Sequence, residues 1–69
     1  MEIKNQAKML FKESTFTPKY VYVENFSKLE ILVDVRSYQR CYKFTLFDGR
    51  IDYYSLNDYA LLSIERFDG

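Results

Sequence analysis

Residues 19–54 alternate between apolar and polar side chains with a period of two, and this pattern constrains the fold more than any other feature of the chain. The repeat is clearest in residues 29–36, where Leu29, Ile31, Val33 and Val35 form one apolar series. Successive side chains of a strand point to opposite faces of a sheet, and β-branched and aromatic residues fit that surface well. The pattern therefore predicts four strands, at residues 19–24, 29–36, 40–47 and 50–54.

Short connections between these segments favour antiparallel pairing. Asp48 and Gly49 stand between two of the predicted strands, and an Asp-Gly pair is the usual signal for a type I′ hairpin turn. Residues 25–28 and 37–39 are two further predicted connections. Sequential strands joined in this way usually lie side by side, so we expect a four-stranded antiparallel β-meander.

Helices are predicted on either side of the meander. In residues 2–13, one arc of a helix would collect Ile3, Ala7, Leu10 and Phe11, which is typical of a core-facing stripe. Residues 55–58 (Ser-Leu-Asn-Asp) resemble a capping box, and they predict a helix over residues 56–66. A fifth strand over residues 61–67 is the competing interpretation of the same segment, because short apolar runs fit either structure.

The expected architecture is a single small α+β domain over residues 1–69: an N-terminal helix, the meander and a C-terminal helix. Both helices would cover one sheet face, formed by Val21, Ile31, Val33, Tyr42, Phe44 and Ile51. A chain of this length supplies a core worth only about 3–5 kcal/mol. Self-association is one way to add stability, since a single cysteine, Cys41, permits no disulfide within the chain.

The composition offers little for catalysis, so we expect no enzymatic activity. Cys41 has no histidine in the chain to act as its base, and the two glycines, at 49 and 69, form no phosphate-binding loop. Without histidine and with one thiol, the chain is also not expected to bind a metal, a cofactor or a small-molecule substrate. The sequence shows no apolar segment of membrane-spanning length and no signal peptide, and the unpaired cysteine favours the cytoplasm.

Aromatic residues exceed what so small a core can bury: the chain has seven Tyr and six Phe in 69 residues. Tyr and Arg are prominent at the energetic centres of protein interfaces, and the sheet face opposite the helices would be open. We therefore expect a non-catalytic protein-binding module, either with a different partner or as a homodimer. The predicted binding face consists of Tyr20, Tyr22, Leu32, Arg36 and Tyr54, with Tyr53 as the alternative to Tyr54.

A free-standing chain of this size suits an inhibitor or adaptor that blocks a larger partner through its aromatic face or an edge strand. Phages and mobile elements encode many such proteins, and this origin is an expectation from frequency alone.

Nucleic-acid binding is the alternative function. Basic and aromatic residues alternate between positions 36 and 42, and a sheet that displays both can hold phosphates and stack bases. The residues of this alternative site are Arg36, Tyr38, Arg40 and Lys43. The balanced charge, ten Lys and Arg against ten Asp and Glu, counts against it.

Overall fold

The protein is an all-β domain with two layers. A computed structural model describes residues 3–13 and 16–68, and the side chains of residues 5–13 and 16–66. The described residues form six strands and no helix. The strands are β1 (Ile3–Phe11), β2 (Lys19–Glu24), β3 (Phe26–Val33), β4 (Arg40–Leu46), β5 (Ile51–Ser55) and β6 (Tyr59–Asp68).

The strands form two antiparallel sheets of three strands each. Sheet A has the order β2-β1-β6, and sheet B is the meander β3-β4-β5. One residue, Asn25, connects β2 of sheet A to β3 of sheet B, with φ at 59°. Its backbone N–H donates to the Asn5 carbonyl, and its own carbonyl accepts from Phe47 N–H, both at 3.0 Å. The corner is thus tied to both sheets.

The core lies between the two sheets and is small. Its fully or nearly fully buried side chains are Ala7, Met9, Val23, Phe26, Tyr42, Phe44 and Leu46. The Phe44 ring packs edge-on against Phe26 and Tyr54, with centroids 5.1 and 5.9 Å apart. Hydrogen bonds also cross between the layers: Asn5 Nδ2 donates to the Phe26 carbonyl at 2.6 Å, and Leu61 N–H donates to the Tyr42 hydroxyl at 3.3 Å.

The predicted N-terminal helix is wrong, because Ile3–Phe11 is the central strand of sheet A. Residue 2, where that helix was expected to begin, lies outside the described residues. The sequence of this segment fits the period of a helix and also the period of a strand. In the structure it follows the strand period, since Ala7 and Met9 point into the core and Lys8 and Leu10 point away from it. An isolated helix of this length is marginal in water, so pairing with strands on both sides decides the outcome.

The predicted C-terminal helix is also wrong, and with it the α+β class. Tyr59–Asp68 is β6, an edge strand of sheet A, which agrees with the competing strand interpretation of this region. Ser55 does cap a turn, since its Oγ accepts the Asn57 N–H at 3.1 Å, but the chain then continues as a strand. The resemblance to a capping box therefore marked a turn and did not indicate a helix.

The meander is confirmed only in part. Residues 19–24 form β2 as predicted, but β2 belongs to sheet A, so the continuous sheet has three of the four expected strands. β3 begins and ends three residues earlier than expected. In the Phe47–Gly49 connection only Gly49 has a positive φ, at 94°. The Leu46 carbonyl accepts a hydrogen bond from Gly49 N–H, and Leu46 N–H donates to the Arg50 carbonyl. This is a three-residue connection in place of the predicted type I′ turn.

Candidate protein-binding surface on the β3–β4 hairpin

The hairpin formed by β3 and β4 ends in a six-residue connection, residues 34–39. Asp34 organises it: its backbone N–H donates to the Gln39 carbonyl, its carbonyl accepts from Tyr38 N–H, and its Oδ1 accepts from Arg36 N–H, each at 2.8 Å. Tyr38 has a positive φ of 58°. These bonds fix the shape of the hairpin end and hold its apolar side chains in place.

Apolar side chains are concentrated and exposed at this end of the hairpin. Ile31 and Val33 are each 58% exposed, Val35 is 83% exposed and Tyr38 is 85% exposed. Leu32 is also exposed, and it points to the opposite face of sheet B from Ile31 and Val33. Apolar side chains are therefore open to solvent on both faces of the same strand.

β3 is an edge strand, because sheet B has the order β3-β4-β5. The bond from Asp34 N–H to the Gln39 carbonyl identifies positions 34 and 39 as a hydrogen-bonded pair. Bonding alternates along an antiparallel ladder, so the backbone groups of Leu29, Ile31 and Val33 point away from β4. No strand among the described residues pairs with that edge.

An open groove of about 730 Å³ runs over the outer face of the same hairpin. Leu32 of β3 and Tyr53 of β5 contribute to its apolar lining. Cys41 of β4 and Ser55 of β5 also line the groove. Arg36 and Arg40 also line the groove, and within the described part of the chain neither has an ion-pair partner. The groove is thus apolar and basic at once.

The residues of the predicted binding face do not share one face. Tyr20 and Tyr22 lie on the outer face of sheet A, where the Lys8 ammonium stands 4.3 Å from the Tyr20 ring centroid. Leu32 and Arg36 lie at the groove on sheet B. A single exposed sheet face was expected because β2 and β3 were assigned to one sheet, and the corner at Asn25 separates them.

Tyr54 packs against the core on the inner face of sheet B. Its ring stands between Phe44 and Tyr59, with centroids 5.9 and 5.1 Å away. Burial, with smaller contributions from Asp52 and Tyr59, raises the pKa of Tyr54 above its ordinary value. Tyr53, the alternative, is the member of the pair that lines the groove.

The residues of the predicted nucleic-acid site are partly brought together. Arg36 and Arg40 meet at the groove, and Tyr38 is exposed on the hairpin connection. Lys43 is farther along β4, where its Nζ lies 4.0 Å from a carboxylate oxygen of Glu30, which also pairs with Lys28 at 3.6 Å. Lys43 is thus partly neutralised, whereas no described carboxylate forms an ion pair with either arginine.

The sequence analysis did not identify Ile31, Val33 and Val35 as surface residues. Ile31 and Val33 were expected on the sheet face that the predicted helices would cover. The signal that could have found them is Leu32, which makes residues 31–33 apolar on both faces of one strand. A strand with a single covered face alternates, so this run indicates a strand with an additional contact.

The fold and the surface together define a class, a two-layer all-β domain with an unprotected apolar edge strand. Comparisons of the chain with protein families, curated proteins and solved structures find no match. Among the described residues, no helix is long and apolar enough to cross a membrane.

Proposed function

We propose that this protein is a non-catalytic protein-binding module whose contact surface is the β3–β4 hairpin. The observation that carries the proposal is the run of exposed apolar residues Ile31, Leu32 and Val33 on β3, an edge strand whose outer side pairs with no described strand. Exposed apolar patches on small proteins commonly mark interaction sites.

The edge of β3 and the groove supply two complementary parts of an interface. A bound segment in extended conformation would take backbone hydrogen bonds from Leu29, Ile31 and Val33, which is the β-augmentation mode of recognition. Leu32 and Tyr53 would supply apolar contact area, and Arg36 and Arg40 would favour a partner segment with acidic side chains.

β3 is weakly protected as an edge strand over its last three residues, Ile31, Leu32 and Val33. Edges are usually blunted by charged side chains, proline or short length. β5 has only five residues, the exposed part of β6 includes Glu65 and Arg66, and Pro18 precedes β2. In β3, the exposed residues 31–33 contain no charge.

Such a module would act by occupying a surface of its partner. An inhibitor or adaptor of the kind that phages and mobile elements encode fits this mode of action, since it needs no chemistry of its own. The small size of the domain and the exposed edge of β3 support the inhibitor or adaptor role.

The test compares two variants with the same substitution. Ile31→Lys places a charge on the proposed surface, and Ile64→Lys places one on a similarly exposed position, 49%, of the edge strand β6. Immobilised wild-type chain and Ile64→Lys should retain the same partner, either a host protein from an extract or a soluble copy of this chain, and Ile31→Lys should lose it. Equal retention by all three chains would contradict the proposal, provided that circular dichroism shows each variant folded.

A second candidate function is nucleic-acid binding through the groove, favoured by Arg36 and Arg40, which line it together with Tyr53. Its test is titration with single-stranded and duplex oligonucleotides at low salt. Binding that weakens as salt rises and is lost in Arg36→Ala/Arg40→Ala would favour this candidate. Ile31→Lys adds positive charge, so it should not weaken nucleic-acid binding, and this separates the two functions.

A further inference from the structure

We infer that the partner of the β3 edge is a second copy of this chain, paired antiparallel about a two-fold axis at Ile31. This inference rests on the proposed function and names the partner. Two sheets B would join, β3 against β3, into one continuous six-stranded sheet.

The backbone fixes which pairings are open. Within the regular part of β3, residues 28–33, it is Leu29, Ile31 and Val33 that direct their N–H and C=O groups away from β4. An axis at Ile31 pairs Ile31 with its own copy and Leu29 with Val33 of the other copy. All the outward groups then find partners, in about six hydrogen bonds between the two strands.

The side chains agree with this register on both faces. On the inner face it places Ile31 beside Ile31 and Leu29 beside Val33, so exposed apolar area is buried on both copies. On the outer face it places Lys28 opposite Asp34 of the other copy, twice, which is a favourable pairing of opposite charges.

The neighbouring registers are disfavoured by charge. An axis at Glu30 would set Glu30 against its own copy. An axis at Leu32 would set Glu30 against Asp34 and Lys28 against Arg36. Like charges directly opposite each other destabilise a strand pair, so among the axes at Glu30, Ile31 and Leu32 charge complementarity favours Ile31.

A cysteine scan tests the register in the full chain. In a Cys41→Ser background, Ile31→Cys places two thiols across the axis with Cα atoms about 5.5 Å apart, within disulfide range. Val33→Cys places its two copies about 14 Å apart along the strands at a rise of 3.4 Å per residue. Under mild oxidation, the Ile31→Cys chain should become a covalent dimer, and the Val33→Cys chain should remain uncross-linked.

Light scattering coupled to gel filtration gives the independent measurement. Wild-type chain and Ile64→Lys should approach twice the 8.4 kDa chain mass as concentration rises, and Ile31→Lys should remain at 8.4 kDa. A wild-type monomer at every concentration, or cross-linking of Val33→Cys as readily as Ile31→Cys, would overturn the inference.

Failure of the dimer differs from failure of the proposed function. Monomeric wild-type chain that still captures a host protein, with capture lost in Ile31→Lys, would remove the dimer and leave the binding surface. A dimer cross-linked at position 31, together with host capture unaffected by Ile31→Lys, would retain the dimer and assign host capture to a surface other than the hairpin.

Discussion

Asn25 turns the chain from one sheet into the other at a single position, and its backbone pays a conformational cost for doing so. Its φ of 59° lies in the left-handed region, where Asn is tolerated better than most residues. Both of its backbone groups are bonded, to Asn5 and to Phe47, so the corner cannot relax without loss of these bonds.

Replacing Asn25 separates the effect of backbone conformation from that of the side chain. Asn25→Ala should lower the free energy of unfolding by about 1–2 kcal/mol, because alanine is penalised at positive φ. Asn25→Gly should stay within about 1 kcal/mol of the wild type, since glycine adopts this conformation freely but has a more flexible unfolded chain. Urea denaturation measures both changes, and an alanine variant as stable as the glycine variant would contradict the explanation.

Tyr54 should make stability sensitive to alkaline pH. Burial raises its pKa in the folded protein above the ordinary value of 10.0. The stabilisation that comes from burying the neutral Tyr54 side chain is therefore fully present below pH 10.0. It is lost as pH rises through the pKa of Tyr54 in the folded protein, because Tyr54 ionises at lower pH in the unfolded chain. Tyr54→Phe should reduce the loss of stability above pH 10.0, measured by urea unfolding at a series of pH values. The same pH dependence in Tyr54→Phe and wild type would assign the effect to other tyrosines.

Among the elements, β4 is the central strand of sheet B and supplies three of the buried core side chains, Tyr42, Phe44 and Leu46. Its alternation is complete, with an intermediate or exposed residue after each buried one. Loss of one large side chain from this strand should therefore affect the whole domain.

Phe44→Ala should unfold the protein. Truncation of a fully buried Phe costs about 3–5 kcal/mol, which is as much as a core of this size supplies. Phe47→Ala is the matched control, because Phe47 is exposed on the following connection and should change stability by no more than about 0.5 kcal/mol. Far-ultraviolet circular dichroism and urea denaturation distinguish the two outcomes, and a folded, stable Phe44→Ala chain would contradict the assigned core.

The sequence predicted elements well where partners are near in the chain, and poorly where they are distant. β2, β4 and β5 were found within about one residue because alternation and short connections define them locally. β1 and β6 were predicted as helices because their local patterns also fit a helix. What makes them strands is their pairing with each other, between residues that are far apart in the chain. The same error affected the proposed surface: without helices to cover them, Ile31 and Val33 are exposed, and so are Leu32 and Arg36, which the sequence placed on the open face.

At the scale of the whole molecule, the two sheets are held together by the core, by the Asn25 corner, by the connection at residues 56–58 and by polar contacts. One of these contacts is the bond from Leu61 N–H in β6 to the Tyr42 hydroxyl in β4. The register of β1 and β6 shifts between Lys8 and Met9, close to this point. The Tyr42 hydroxyl thus satisfies a backbone group at an irregularity of sheet A.

Tyr42→Phe should weaken the contact between the sheets while it preserves the buried ring. We expect a loss of about 1 kcal/mol in the free energy of unfolding, since a partly buried N–H loses its acceptor. Amide hydrogen exchange should also accelerate at Leu61. Tyr53→Phe, on the exposed outer face of sheet B, should change neither quantity. Unchanged exchange at Leu61 in Tyr42→Phe would show that this bond does not couple the sheets.

The pairing of β1 with β6 also has a kinetic consequence. Sheet B is built from one continuous stretch, residues 26–55, through two hairpins, whereas Ala7 must find Ile64 before sheet A is complete. Closing a long loop is entropically costly and slows folding, so we expect sheet B to form early and β6 to dock last. Until β6 docks, an intermediate would expose part of the inner face of sheet B, and a chaperone would meet that apolar face before any folded partner could.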